Sequence, residues 1–269
     1  MNPADQSASA MIDQFLQTAG LQGLGAQAWD WYLNGQSPDQ IFLRIQQTPE
    51  FETRFPGFNE LAAAGKPVSV AQWVSYEATV RGLFEAAGID PQFYDQPEDI
   101  AKFITQNISP AELQQRLQMA QDVVSHHYDT EYSRLNGVSQ GDLVGAEFLN
   151  PDKAAPILER KYAAAQASTL ATQSGYGPLD QTEAERLAAT GVSAGQEQQG
   201  FGTLASQQEL FQPLDSGEQA ISRDTQLSAQ FNNNAQAQNQ IETQRRRRQA
   251  QFSEGGSYSS SQAGYSGVR

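Results

Sequence analysis

The chain has 269 residues, enough for one large or two ordinary domains, yet only 38% of them are hydrophobic and the formal net charge is −14. So acidic a chain repels polyanions, which disfavours nucleic acid or an anionic membrane as partner of the whole. It has no cysteine for disulfides or thiolate metal sites, and no apolar stretch approaches the roughly 18 residues of a membrane span.

The first residues, "MNPADQSASA", lack the basic start and apolar core of a secretory leader, so a soluble, leaderless chain made in a reducing host cytoplasm is expected. "GLQGLG" at residues 20–25 reads as a turn, because no strand precedes it to make a dinucleotide fingerprint. Helix starts then come at intervals. Ser37-Pro-Asp-Gln40, Ser69-Val-Ala-Gln72, Ser109-Pro-Ala-Glu112 and Thr182-Glu-Ala-Glu185 all have the capping-box pattern. In that pattern a hydroxyl and a side chain three residues on satisfy two N–H groups that a helix start leaves unpaired. Pro38 and Pro110 stand just inside two of these starts, where the missing N–H costs nothing.

Apolar spacing behind the caps is helical. Trp73, Tyr76, Val80, Leu83, Phe84 and Ala87 step by three and four up to a stop at Gly88. Leu113, Leu117, Ala120 and Val124 do the same, as do Ile157, Leu158, Tyr162 and Ala165 in a helix expected to begin near Pro151. No period-two alternation bounded by hairpin turns is found. Between the helices lie aromatic, Pro/Gly-rich connections, in which Phe51, Phe55, Phe58, Phe93 and Tyr94 are expected to pack under the turns.

The only histidines, His126 and His127, are adjacent. On a helix, neighbours point about 100° apart and do not converge on one metal ion. Asp122, Asp129 and Glu131 stand nearby, but carboxylates are common in this chain. With no nucleophile elbow and no P-loop, catalytic residues, metal ligands and cofactors are not expected, nor is an enzyme.

From about residue 171 the composition turns to Gln, Asn, Ala and Gly with isolated apolar residues, among them Phe201, Leu210 and Phe211. Such a segment can be helical but has little apolar surface with which to fold alone. Phe231, Ile241 and Phe252 are spaced like sparse anchors, and Tyr258 and Tyr265 offer contact area in a Ser/Gly-rich end. The expectation is an all-α protein: a compact acidic helical body over residues 1–170, then an extended, partly helical polar arm over 171–269.

The four consecutive arginines, Arg245, Arg246, Arg247 and Arg248, contrast with this acidity. Residues 1–135 carry 7 basic against 17 acidic side chains, and residues 201–269 carry 6 against 6. Four phosphate contacts would give a salt slope of only about −3.6, which is weak for a single run attached to an acidic body. Carboxylates of a protein partner can instead pair with guanidinium groups bidentately. Protein contact through Arg245 to Arg248, Phe231, Phe252, Tyr258 and Tyr265 is therefore favoured over DNA contact.

The phrases "TPEFETRFPGF", "AAGIDPQFYDQPEDIAKFI", "ISPAELQQRL" and "RRRRQAQFSEGGSYSSSQAGYSG" together resemble minor structural proteins of tailed bacteriophages. That resemblance implies a virion component with a helical body and an extended arm, present in several copies on a symmetric assembly, and the head-tail connector or tail is the position favoured here. Its implied partners are portal, connector or tail subunits and copies of itself in a symmetric oligomer. The alternative is an internal or DNA-packaging accessory protein that contacts DNA through Arg245 to Arg248.

Overall fold

A computed structural model describes residues 3–94, 96–138, 146–213 and 218–254, with side chains described from residue 6 to residue 251. The fold is all-α, and no strand occurs among the described residues. The chain forms two compact units. One comprises Met1–Ala120 with Gly145–Ala155, and the other Gln121–Val144 with Pro156–Arg269.

The first unit contains α1 (Pro3–Ala19), α2 (Gly25–Leu33), α3 (Pro38–Ile45), α4 (Pro49–Arg54), α5 (Phe58–Ala63), α6 (Val70–Ala86), α7 (Pro97–Thr105) and most of α8 (Pro110–Ser125). Ser37 and Ser69 form reciprocal boxes with Gln40 and Gln72. Ser109 accepts from the Glu112 N–H at 3.1 Å. Short helices suit this sequence because Pro-initiated starts and Gly stops follow each other closely, so each helix gains its stability from packing rather than length.

Apolar volume holds the unit together. Phe51, Phe55, Phe58 and Trp73 pack edge-on and tilted among Ile12, Leu16, Ile41 and Ile45. The turn that lets Phe55 and Phe58 meet is type II. Pro56 takes its first central place and Gly57 the second at φ +82°, with the Phe58 N–H donating to the Phe55 carbonyl at 3.1 Å. A Cβ on Gly57 would also lie 2.7 Å from Thr105 Cγ2, so the site excludes side chains twice over. Further along α6, Val80 and Phe84 join Tyr94, Ile100, Phe103 and Leu113 in a second cluster. Phe93 departs from expectation: it is 78% exposed, because its 3-10 turn aims Tyr94 inward instead.

Arg116 is the first unit's deepest charge, 1% exposed. Its guanidinium donates to Glu112 at 2.7 Å and to the carbonyls of Asn150 and Lys153 at 2.9 and 2.6 Å. Those bonds hold residues 150–153 as a turn, in which Asn150 Oδ1 accepts from the Asp152 N–H. The helix expected near Pro151 consequently begins later, as α10 below. On α8 the buried stripe ends on Met119 and Val123, and Val124 is 62% exposed.

The second unit contains α9 (Asp129–Asn136), α10 (Ala155–Gln173), α11 (Gln181–Ala188), α12 (Ala194–Ser206), α13 (Gln208–Phe211), α14 (Arg223–Phe231) and α15 (Ala235–Glu254). Asp180, not Thr182, caps α11, in a reciprocal box with Glu183. The backbone is extended at Asp180 and already helical two residues on, so the aspartate holds the capping position.

The described residues between 201 and 241 do not behave as an arm lacking a surface to lie on. Phe201, Leu204, Phe211, Leu227 and Ile241 are buried in one core with Leu135, Leu170, Leu179 and Leu187. The boundary expected at residue 170 would cut through α10, whose buried Ala164, Ala167, Leu170 and Ala171 belong to this same core. Small side chains explain the difference. Six buried alanines let helices approach closely, so few large apolar residues suffice.

Candidate functional site

The arginine run lies in the second half of α15. Ala, Gln and Arg favour helix throughout, and Asn234 Oδ1 accepts from the N–H groups of Gln236 and Ala237 at its start. The buried stripe of α15 is Ala237, Ile241, Gln244 and Arg248, spaced four, three and four. Half of that stripe is polar, and each polar member meets backbone. Gln244 donates to the Leu210 carbonyl at 3.0 Å.

Arg248 is 8% exposed. It pairs with Glu218 at 3.2 Å and donates to the carbonyls of Glu209 and Gln212. A buried guanidinium with a carboxylate and two carbonyls is satisfied, whereas removing it would strand Glu218 and both carbonyls. Arg245 pairs with Glu242 on its own helix at 2.7 Å. Arg246 and Arg247 are exposed and have no ion-pair partner among the described residues.

The run expected to contact a partner protein is divided into three roles: Arg248 anchors, Arg245 pairs locally, and Arg246 and Arg247 face outward. The expected aromatic contacts divide too. Phe231 is half-buried against Phe201, with ring centroids 5.0 Å apart. The side chain of Phe252, and all of Tyr258 and Tyr265, lie outside the described residues. Glu218 and Gln244 are not among the residues expected from the sequence. The three-four stripe from Ala237 to Arg248 could have exposed the second but not the first, which lies 30 residues from Arg248.

Two other polar clusters fasten the same unit. Glu131 pairs with Arg134 and accepts from Ser168 Oγ, both at 2.6 Å, and Ser168 also accepts from the Leu179 N–H. Ser168 is fully buried and its neighbour is a salt-bridged carboxylate, an arrangement that fixes a turn rather than activating a hydroxyl. Arg223 lies over the Tyr176 ring, 4.5 Å from its centroid, and pairs with Glu183 at 3.1 Å. Burial, the larger cause, pushes the Tyr176 phenol up to about 12 against the lowering by Arg223.

Both histidines are exposed. α8 ends at Ser125, so they do not sit on the helix as expected. His127 takes a left-handed φ of +57°, and the Tyr128 N–H closes back on the Val123 carbonyl at 2.8 Å, making a Schellman stop. Among the described residues no group of three or more His, Asp and Glu side chains is placed to hold a metal ion. An open cleft of about 420 Å³ is lined by Pro49, Glu50, Thr53, Arg54 and Pro97, and there the Arg54 guanidinium is engaged bidentately by Glu77. A smaller one of about 150 Å³ includes Ile157, Arg160, Gln181 and Glu185. No helix among the described residues is long and apolar enough to cross a membrane.

No family model, curated protein or solved structure matches this chain.

Proposed function

We propose that this chain is a structural component of a tailed-phage virion, at the head-tail connector or tail, that binds neighbouring subunits through α15 and the residues after it. The role is scaffolding rather than catalysis. One observation carries the reading: Arg248 is spent on anchoring α15 within the chain, so Arg246 and Arg247 are presented outward from a fixed helix. Two guanidinium groups at a set angle suit carboxylates on a neighbouring protein, because bidentate pairing rewards fixed geometry. The particle as the setting is suggested by the resemblance of those phrases to minor phage structural proteins.

DNA contact becomes the weaker reading on this geometry. With Arg248 buried and Arg245 paired, two free arginines would give a salt slope of about −1.8, too small to hold duplex DNA at physiological ionic strength.

The test is incorporation. Mass spectrometry of purified particles should find the chain at a fixed copy number. Arg246→Gln with Arg247→Gln should leave the helical circular-dichroism signal intact while lowering incorporation roughly tenfold, equivalent to about 1.4 kcal/mol. Absence from particles would end the virion reading. Salt-sensitive DNA retention lost in the double variant would replace it with the DNA reading.

A further inference from the structure

α12 buries one stripe, Glu197, Gly200, Phe201 and Leu204. Three members suit a core, and the fourth is a carboxyl. Glu197 is 3% exposed, and its Oε2 has no hydrogen-bond partner. Among the described residues it forms no ion pair either, which sets it apart from the other buried glutamates there, Glu77, Glu131 and Glu183, each held by an arginine.

Its position matters because at the adjoining turn of the stripe a glycine lets another helix come close. At Gly200 a Cβ would stand 2.4 Å from Phe231 Cε1, so α12 and α14 meet there backbone to ring. Phe201 then packs, tilted, between Phe231 and Tyr176, with ring centroids at 5.0 and 5.7 Å. On α13 and α14, which pack against α12, no cation is left unpaired to offset a Glu197 carboxylate. On α14, Arg223 is committed to Glu183 and Asp224 to Arg186. On α13 the only ionisable side chain is Glu209, and Tyr176 beside Phe201 stays neutral. The N-terminal end of α12 favours an anion, but less than burial without a partner opposes it.

We propose that Glu197 is a proton-operated latch: its neutral carboxyl lets α12 close on α14, and its ionisation loosens that contact. Burial pushes the carboxyl up to about 7, from an ordinary 4.5. Because the folded-state value is the higher one, the stabilising contribution is complete below about 4.5 and is lost as pH rises through 7. The latch is independent of the virion reading.

Urea unfolding of the full chain between pH 5 and pH 9 tests it, with wild type compared against Glu197→Gln. The folding equilibrium constant of wild type relative to the variant should fall by up to about 75-fold across that range. Hydrogen exchange, corrected for its intrinsic pH dependence, should show the loosening at residues 194–231. A ratio that does not change with pH overturns the latch, as does loosening confined to other segments. Should the variant fail to fold, carboxyl carbon shifts of wild type decide. A Glu197 midpoint near 7 supports the latch and one near 4.5 overturns it.

Discussion

The two units reach burial by opposite means. In the first, large rings fill the space: Phe51, Phe55, Phe58 and Trp73 form one cluster, and Phe84, Tyr94 and Phe103 anchor the next. In the second, alanines bring helices close, and arginines and glutamines reach across to backbone carbonyls at Pro178, Leu179, Glu209, Leu210 and Gln212. The lesson is that low hydropathy does not by itself mean an unfolded arm. Close approach and satisfied polar contacts can make a core where apolar volume is scarce.

The largest break should come in the ring-filled unit. Trp73→Ala removes a side chain that is 1% exposed and the indole N–H that donates to Glu77 at 3.0 Å. A loss of about 4 kcal/mol is expected in urea unfolding, mostly from the cavity, since Arg54 still holds Glu77.

Removing a polar fastener from the second unit should cost less. Arg134→Met takes away the partner of Glu131 and a donor to the Leu179 carbonyl. The arginine side chain is 42% exposed, so water screens the pair, and about 2 kcal/mol is expected. Adding Glu131→Gln should recover part of that loss, and a double-mutant cycle would show a coupling of about 1 kcal/mol. Strict additivity would mean that the cluster does not fasten the unit.

A third comparison uses one substitution at two glycines. Gly200→Ala places a methyl group against Phe231, costing about 2 kcal/mol in overpacking and regaining about 1 in helix propensity, for a net loss near 1. Gly82→Ala, on α6 with nothing within 4 Å of its Cβ, should gain about 0.7 kcal/mol. Thermal midpoints should move in opposite directions.

What the sequence discloses depends on how far apart the cooperating residues lie. Ser37 and Gln40, or Ser69 and Gln72, meet within four residues, so their caps are legible. The segments beginning at Ser37 and Ser109 match in register, and Ile41 and Leu113 are indeed both fully buried. Yet the matching arginines part company. Arg44 lies over Trp31, while Arg116 is enclosed by carbonyls more than 30 residues away. The candidate site fails to show for the same reason. Nothing local in four identical arginines distinguishes Arg248, whose partners Glu218, Glu209 and Gln212 lie 30 to 39 positions upstream. Glu197 is equally silent, since a glutamate in a Gln-rich helix reads as a solvated residue until its stripe is known to be buried.

The anchoring of Arg248 also gives the run a one-way tolerance to changes in its length. The anchor position is counted from the Gln244 side of α15, where Ile241 and Gln244 fix the helix against its neighbours. An extra arginine inserted into the run still leaves arginine at the anchor and shifts only the residues beyond it. Deleting one brings Gln249 into that place, where a shorter neutral amide would face Glu218 and two carbonyls that a guanidinium now satisfies. Across natural length variants the run should therefore behave as a minimum: longer tracts persist, and tracts of three are lost.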